Sequence, residues 1–147
     1  MTSPSPPPLD VAAGLIFRAG KLLLTQRRPT DHLGGLWEFP GGKREAGETF
    51  AECLRRELRE ELGVEVQVGG LIEGITHAYA DRVVRLEFFR CVLRSGEPQP
   101  LGCAALAWVS RTELVGYSFP AADARLLERL RATPALWETE PTPGSSD

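Results

Sequence analysis

The spacing of apolar residues divides the first half of the chain into a predicted hairpin and a predicted helix. Two apolar runs, at residues 11–17 and 22–26, flank a short polar turn, a spacing typical of a β-hairpin. Between residues 48 and 62 apolar side chains recur at every fourth position, which is a helical period, and Gly63 follows as a stop signal. The Gly- and Pro-rich segment 29–42, between hairpin and helix, is predicted to be a loop.

The second half of the chain predicts more strands and one more helix. Leu126, Leu127 and Leu130 form one apolar face of a helix predicted over residues 121–132. The order strand, strand, helix, several strands, helix favours an α/β fold in which a central mixed sheet lies between helices. The four strands predicted in this half come from short apolar or alternating runs: residues 64–68, 71–79, 83–93 and 107–109.

Composition predicts one folded domain between two unstructured ends. A chain of 147 residues with 42% hydrophobic residues has the usual size and composition of a single globular domain. Residues 1–8 are rich in Ser and Pro, and residues 138–147 in Pro, Thr, Gly and Ser. We therefore expect a disordered N-terminal arm and a disordered C-terminal tail on a domain that spans residues 9–137. The three scattered cysteines are expected to be buried thiols.

The charge balance narrows the classes of function. Seventeen basic and 20 acidic residues give a net charge of −3, which argues against a protein that coats duplex nucleic acid or an anionic membrane. Residues 1–8 lack the basic and apolar regions of a secretory signal, and no apolar segment has the length of a membrane span. We expect a cytoplasmic protein with a small-molecule ligand. Both a monomer and a homodimer are compatible with the sequence.

Acidic residues concentrate on the polar face of the first predicted helix. At about 100° per residue, Glu57 and Glu61 lie one turn apart on the same side, with Glu60 beside both. Three neighbouring carboxylates repel one another unless solvent or a cation intervenes. Mg²⁺ prefers such oxygen ligands and completes its shell with phosphate oxygens, so this face predicts a magnesium site for a diphosphate. The alternative is a solvated helix face, on which such charge runs are common.

The segment around these glutamates matches a defined motif. Gly42 is followed by five residues and Glu48, and then by seven residues and the run Arg-Glu-Leu-Arg-Glu-Glu-Leu-Gly-Val at 56–64. This is the pattern of the Nudix box, G-x5-E-x7-R-E-U-x-E-E-x-G-U, in which U is aliphatic. The run Gly-Gly-Leu-Trp-Glu-Phe-Pro-Gly-Gly-Lys at 34–43 resembles the MutT-type branch of the Nudix hydrolases. The resemblance covers essentially the whole folded chain and implies a Nudix-like α/β/α layered fold with a central mixed sheet.

The resemblance implies Mg²⁺-dependent hydrolysis of a nucleoside triphosphate to the monophosphate and pyrophosphate. Water attacks phosphorus and a glutamate accepts its proton, with Glu57 as the expected base and Glu60 as the second candidate. Arg56 is expected to orient a carboxylate. Mn²⁺ is an expected substitute for Mg²⁺. The implied metal ligands are the carbonyl of Gly41 and the side chains of Glu57, Glu60 and Glu61.

Members of the MutT-type branch recognise the nucleobase partly through a residue at the start of the last helix, which is Asp123 here. An ionised aspartate only accepts hydrogen bonds, whereas the asparagine of the oxidised-guanine enzymes also donates. Asp123 therefore suits an amino group or a ring N–H, unless it is protonated. The alternative is an ordinary acidic residue in the first turn of a helix. Further residues that the resemblance brings to the base or the phosphates, with ordinary surface or packing roles as the alternative, are Arg27, Arg28, His32 and Phe39.

One position departs from the MutT pattern. Proteins of this type carry an acidic residue six positions before the tryptophan of the late strand, where it approaches the metal ions. Counting back from Trp108 gives Gly102. Glu97 is the nearest acidic residue upstream, so either Glu97 or the three helix glutamates alone must serve, and the identity of the general base stays open.

The predicted substrates are oxidised or otherwise non-standard nucleoside triphosphates, of the 8-oxo-dGTP or modified-cytidine type, which would make the protein a nucleotide-pool sanitation enzyme. Two alternatives stay open. One is a Nudix hydrolase that acts on a dinucleoside polyphosphate, a nucleotide sugar or ADP-ribose. The other is a non-catalytic nucleotide-binding module, against which the intact set of Arg56 and three glutamates argues.

Overall fold

Seven strands form one mixed sheet in the computed structural model, which describes residues 7–138. The strands are β1 (Leu9–Arg18), β2 (Lys21–Gln26), β3 (Trp37–Glu38), β4 (Gly41–Lys43), β5 (Glu65–Ala78), β6 (Val83–Ser95) and β7 (Ala105–Val109). Strand β1 is central, because one of its edges pairs in parallel with β6 and the other pairs antiparallel with β4 and β2. Strands β3 and β7 continue the sheet from β2, and β5 continues it from β6.

The two helices, α1 (Phe50–Leu62) and α2 (Ala124–Ala132), cover opposite faces of the sheet. Residues of β1 alternate between the two faces of the sheet. Ala12 and Ile16 belong to the core under α1, whereas Leu15 and Phe17 belong to the core under α2. Because both faces of β1 and β2 are buried, these strands have continuous apolar runs instead of strict alternation. The predicted hairpin and the predicted α/β/α layering are confirmed.

Helix α1 has a defined signal at each end. The hydroxyl of Thr49 accepts a hydrogen bond from the Glu52 N–H at 3.0 Å, and the Glu52 carboxylate accepts one from the Thr49 N–H at 2.8 Å, which makes a capping box. Gly63 ends the helix with a φ of 71°, a left-handed conformation that favours glycine. The helix begins after Thr49 instead of at Glu48, because Thr49 is the cap. The predicted apolar stripe is confirmed by three fully buried leucines, Leu54, Leu58 and Leu62.

Three predicted element boundaries are wrong. Segment 29–42, predicted to be a loop, contains β3 and the start of β4, because its backbone pairs with β2 and β1. The strands predicted at 64–68 and 71–79 form the single strand β5, which has bulge-like register shifts between its two halves. The helix predicted from residue 121 begins as a 3₁₀ turn at Ala121–Asp123, after which α2 starts.

Most of the predicted arm and tail lies outside the described residues. Trp137, near the end of the described chain, is buried, and its indole N–H donates to the carbonyl of Leu130 at 2.8 Å, so this segment packs against α2. Neither helix between residues 7 and 138 is long and apolar enough to cross a lipid bilayer. The prediction of buried free thiols is confirmed for Cys53, Cys91 and Cys103.

Candidate active site

The guanidinium of Arg56, on α1, is bonded to three glutamates. It donates to both carboxylate oxygens of Glu48, at 2.7 and 3.0 Å, and from Nη1 to Glu57 at 2.8 Å and to Glu60 at 3.3 Å. Nη2 also donates to the carbonyl of Lys43 at 3.1 Å, which ties the helix to the glycine-rich segment before it. The hydrogen bonds from Arg56 lower the pKa of Glu48 to about 2. We call these four residues, Arg56, Glu48, Glu57 and Glu60, the Arg56 cluster.

The carboxylate of Glu57 lies directly against the backbone of Gly42. A Cβ atom at position 42 would come within 2.3 Å of the Glu57 carboxyl carbon, so any side chain there would displace the carboxylate. Burial raises the pKa of Glu57, and the hydrogen bond from Arg56 opposes this rise. The glycine at position 42 is therefore required by the close approach of an acidic side chain.

Glu61 bonds to the same glycine-rich segment. Its Oε1 accepts a hydrogen bond from the N–H of Gly41 at 3.3 Å. Burial raises the pKa of Glu61 to about 8, and the nearby carboxyl groups of Glu38 and Glu57 add to the rise. A divalent cation beside these groups would favour their ionised forms, because it supplies the positive charge that they lack.

The chemistry of this donor set fits a hard divalent cation. Carboxylate and carbonyl oxygens are the ligands that Mg²⁺ takes from proteins, usually one or two carboxylates supplemented by water and substrate phosphate. Within residues 7–138, no group of three or more Asp, Glu, His or Cys side chains is already converged as a metal cage. Glu57 and Glu60 are instead bonded to Arg56. The donors that the sequence analysis assigned to the metal all belong to α1 and β4: Gly41, Glu57, Glu60 and Glu61.

A cleft of about 650 Å³ opens beside Gly41, Gly42 and Glu61, and Asp123 and Phe39 also line it. Asp123 is 7% exposed, and burial raises its pKa to about 7, with a smaller contribution from a neighbouring carboxyl group. Although Asp123 precedes α2, its side chain makes no capping hydrogen bond to the helix. The ring of Phe39 stacks on that of Phe119, with 5.2 Å between the centroids. Phe39 therefore both packs against another side chain and lines the cleft.

Two of the three polar residues expected near the base or the phosphates line the cleft, namely Arg27 and His32. Nη1 of Arg27 forms an ion pair with Glu38 at 2.9 Å. Arg28 is directed elsewhere: its Nη2 donates to the carbonyl of Leu101 at 3.1 Å, and it is not among the lining residues. Both arginines follow the end of β2, where the chain is no longer a regular strand.

Glu38 lines the cleft although the sequence predicts no role for it. Burial raises its pKa in spite of the ion pair with Arg27. It contributes to the raised pKa values of both Glu61 and Asp123, so it lies near both. The available signal was an acidic residue between two aromatic ones, Trp37 and Phe39. Other lining residues without a predicted role come from the turn between β5 and β6, whose approach to the cleft no local pattern reveals: Tyr79, Asp81 and Arg82.

The position at which an acidic residue was expected packs against α1. The N–H of Gly102 donates to the carbonyl of Glu61 at 3.1 Å, and a Cβ atom there would lie 3.2 Å from Cγ of Glu61. Glu97, the alternative acid, is held by Arg18 through two hydrogen bonds of 2.9 and 3.0 Å and does not line the cleft. The geometry therefore favours the alternative in which the helix glutamates serve without it.

Comparisons with known proteins point to one family. The NUDIX domain family matches residues 12–129. The CTP pyrophosphohydrolase of Escherichia coli K12 is 39% identical over 124 residues, an alignment that covers 84% of this chain and 92% of the relative. The 8-oxo-dGTP diphosphatase of Haemophilus influenzae is 36% identical over 123 residues and covers 83% of this chain and 90% of its own length.

Solved structures share the fold. The solution structure of the Escherichia coli ORF135 protein superposes with a TM-score of 0.75 at 36% identity, over 90% of this chain and 94% of that chain. The crystal structure of the MutT protein from Methanosarcina mazei Go1 gives a TM-score of 0.76 at 24% identity, over 88% of this chain and 97% of that chain, and supports the fold alone. The predicted resemblance and fold class are confirmed.

Proposed function

The chain belongs to the Nudix hydrolase family, and we propose that it is a Mg²⁺-dependent nucleoside triphosphate pyrophosphohydrolase that releases a nucleoside monophosphate and pyrophosphate. The observation that carries the proposal is one cleft that brings together Glu61 and the glycine-rich segment with the buried Asp123. Oxygen ligands for a phosphate-bound cation and a hydrogen-bonding group for a base thus share one site. Relatives named as a CTP pyrophosphohydrolase and an 8-oxo-dGTP diphosphatase support this substrate class.

The chain's own residues have defined roles in this proposal. A divalent cation, when bound, neutralises phosphate charge and lowers the pKa of the attacking water. Arg56 keeps Glu57 and Glu60 oriented through its hydrogen bonds, and Glu48 fixes Arg56 in turn. Glu57 accepts the proton of the water, with Glu60 as the second candidate. The residues that would hold the cation are Glu57, Glu60 and Glu61 and the carbonyl of Gly41.

Asp123 recognises the nucleobase in this proposal. A pKa of about 7 lets its carboxyl group accept a hydrogen bond when ionised or donate one when protonated. The ionised form suits an amino group such as that of cytosine, and the protonated form suits a carbonyl group. The proposed substrates are accordingly oxidised or non-standard (d)NTPs of the modified-cytidine or 8-oxo-dGTP type. Arg27, His32 and Phe39 line the same cleft and would contact the nucleotide.

Chromatographic identification of the products formed from a panel of nucleotides tests the proposal, because a nucleoside triphosphate yields the monophosphate and pyrophosphate whereas ADP-ribose yields AMP and ribose 5-phosphate. The panel contains CTP, dCTP, 5-methyl-dCTP, dGTP and 8-oxo-dGTP, together with ADP-ribose and a dinucleoside polyphosphate, each with Mg²⁺, with Mn²⁺ and with a chelator. We expect a nucleoside triphosphate to be the best substrate, activity with either cation, and none with the chelator. Cleavage of ADP-ribose alone would contradict the substrate class, and tight nucleotide binding without turnover would contradict catalysis.

The proposal also covers the cellular location and the oligomeric state of the enzyme. A nucleotide-pool enzyme meets its substrates free in the cytoplasm, where we place this one, as a monomer or a homodimer. Light scattering at assay concentration measures the oligomeric state, and fractionation of the source cells measures the location.

A further inference from the structure

Asp10, on β1, is a buried carboxylate shared by two arginines outside the Arg56 cluster. It is 7% exposed. Arg44 Nη2 donates to its Oδ2 at 2.9 Å, and Arg85 Nε donates to its Oδ1 at 2.6 Å. These hydrogen bonds, that from Arg85 most strongly, lower the pKa of Asp10, so the carboxylate is ionised and holds both guanidinium groups.

Arg44 also reaches the segment that precedes α1. Its Nη1 donates to the backbone carbonyl of Glu48 at 2.9 Å, and its guanidinium lies over the ring of Phe50, 5.5 Å from the centroid. Its backbone N–H donates to the carbonyl of Asp10 at 2.8 Å, which fixes the start of the same segment on β1. One arginine thus connects the central strand to the residue whose carboxylate holds Arg56.

The connection continues without a gap to the glutamates of α1. Glu48 accepts two hydrogen bonds from Arg56, and Arg56 donates to Glu57 and Glu60. The carboxylate of Glu48 also accepts from the N–H of Glu45 at 2.9 Å, so a hydrogen bond joins the two ends of segment 45–48. A shift of this segment would move the guanidinium of Arg56 and release the carboxylates that it orients.

Arg85 provides an internal comparison. It bonds to the same carboxylate as Arg44, through two hydrogen bonds of 2.6 and 3.1 Å, but it makes no bond to segment 45–48. Loss of either arginine removes a charged partner from Asp10. Only loss of Arg44 removes the bond to the Glu48 carbonyl.

We propose that Arg44, held in place by Asp10, is a positioning residue that fixes Glu48 and thereby the metal-binding orientation of Glu57 and Glu60. The inference rests on the proposed function, since it assigns these glutamates to the cation. Arg44 occupies one of the five unspecified positions between Gly42 and Glu48 in the Nudix box, and Asp10 lies outside the box. Partners that orient metal ligands typically change metal affinity by about ten- to a hundredfold when they are lost.

The test compares Arg44→Lys with Arg85→Lys. Lysine keeps the positive charge beside Asp10 but lacks the planar fork that lets Arg44 bond two groups at once. Mn²⁺ binding to the nucleotide-free protein, followed by the loss of the free-ion signal in electron paramagnetic resonance, is the first readout. We expect Arg44→Lys to weaken Mn²⁺ binding about tenfold and Arg85→Lys to leave it unchanged.

Amide hydrogen exchange is the second readout. Exchange at residues 45–49 should become faster in Arg44→Lys and stay at the wild-type rate in Arg85→Lys. At saturating Mg²⁺, the KM for nucleotide should be unchanged in both variants, because neither arginine contacts the cleft. Should the lysine variant be unfolded, Arg44→Met keeps the stem that packs near Phe50, and Arg85→Met is its control.

The outcomes separate the two proposals. Equal Mn²⁺ affinity in Arg44→Lys and the wild type would overturn the positioning role, and so would an equal loss in Arg85→Lys, which would indicate general stabilisation by Asp10. Absence of Mn²⁺ binding in the wild type would overturn the metal site of the proposed function. In that case hydrogen exchange would still decide whether Arg44 holds segment 45–48.

Discussion

The two helices begin differently, although a residue of a type that favours N-caps immediately precedes each. In α1 the side chain of Thr49 bonds to the helix and Glu52 completes the capping box. Asp123, which immediately precedes α2, ends a 3₁₀ turn with a φ of −88° and a ψ of −1°, and its side chain makes no such bond. Its carboxyl group is buried in the cleft instead.

The difference extends to the acidic groups near each helix, of which Asp123 lines the cleft whereas Glu48 and Glu57 are not among its lining residues. Around α1, the carboxylates of Glu48 and Glu57 have a guanidinium against them, and the pKa of Glu48 falls to about 2. Asp123 has burial and the nearby Glu38 as the causes of its shift, so its pKa rises to about 7. The first arrangement keeps Glu48 ionised, whereas burial still raises the pKa of Glu57 against the hydrogen bond from Arg56. The second suits a group that exchanges hydrogen bonds with a neutral base.

The largest expected effect comes from the α1 side. Glu57→Gln keeps the shape of the side chain but removes its charge and its basicity, so kcat should fall by about 10²–10⁴-fold. Pyrophosphate release at saturating Mg²⁺ measures this loss. Glu128→Gln, at an exposed glutamate of α2, is the control and should behave as the wild type. Near-normal turnover in Glu57→Gln would remove Glu57 from the catalytic role.

A change on the α2 side should alter selectivity more than rate. Asp123→Asn replaces a titratable carboxyl by an amide that donates and accepts, which should move preference toward 8-oxoguanine nucleotides. We expect the ratio of kcat/KM between 8-oxo-dGTP and CTP to change by about ten- to a hundredfold, the equivalent of one buried hydrogen bond made or left unpaired. An unchanged ranking across the nucleotide panel would exclude Asp123 from base recognition.

The raised pKa of Asp123 predicts a pH dependence of stability. The folded protein keeps this proton to about pH 7, whereas the unfolded chain loses it near the ordinary value of 3.8. Ionisation is therefore more costly in the folded state, so the free energy of unfolding should fall as the pH rises through this window. Urea unfolding without divalent cations at about pH 5 and about pH 8 measures the fall, which should be smaller in Asp123→Asn. Equal falls would show that Asp123 does not titrate in this window.

The smallest effect concerns the helix starts themselves. Thr49→Ala should lower the free energy of unfolding by about 1 kcal/mol, because it removes a capping bond. Asp123→Ala should cost less than Thr49→Ala, since no capping bond is lost. Urea unfolding of both variants at one pH makes the comparison. An equal or greater cost for Asp123→Ala would indicate that Asp123 serves the helix start.

The elements and site residues that the sequence predicts are those with local signals. Apolar residues at every fourth position and the stop signal Gly63 predict helix α1. Two apolar runs on either side of a turn predict the hairpin. Arg56 and the three glutamates are predicted by the motif, and in the structure Arg56 donates to Glu57 and Glu60.

The features that the sequence does not predict depend on contacts between distant residues. Strands β3 and β4 exist because backbone groups of segment 37–43 meet β2 and β1, and no side-chain pattern encodes such pairing. The folded sheet likewise determines that Arg27 pairs with Glu38 whereas Arg28 bonds to the carbonyl of Leu101. It also determines that Glu38 lies near other acidic groups. The hydrogen bond from Arg44 to Glu48 joins a side chain to a backbone carbonyl. Because every residue type has that carbonyl, the identity of residue 48 does not predict the bond.

The two-sided contacts of β1 make its length more critical than its composition. A deletion of one residue of β1 before Leu15 would invert the orientation of the residues that follow it, and would turn Leu15 and Phe17 toward α1 and Ile16 toward α2. Insertions at the tip between β1 and β2 carry no such penalty. Variation in chain length should therefore accumulate at that tip, while the strand itself admits only exchanges of one side chain for another.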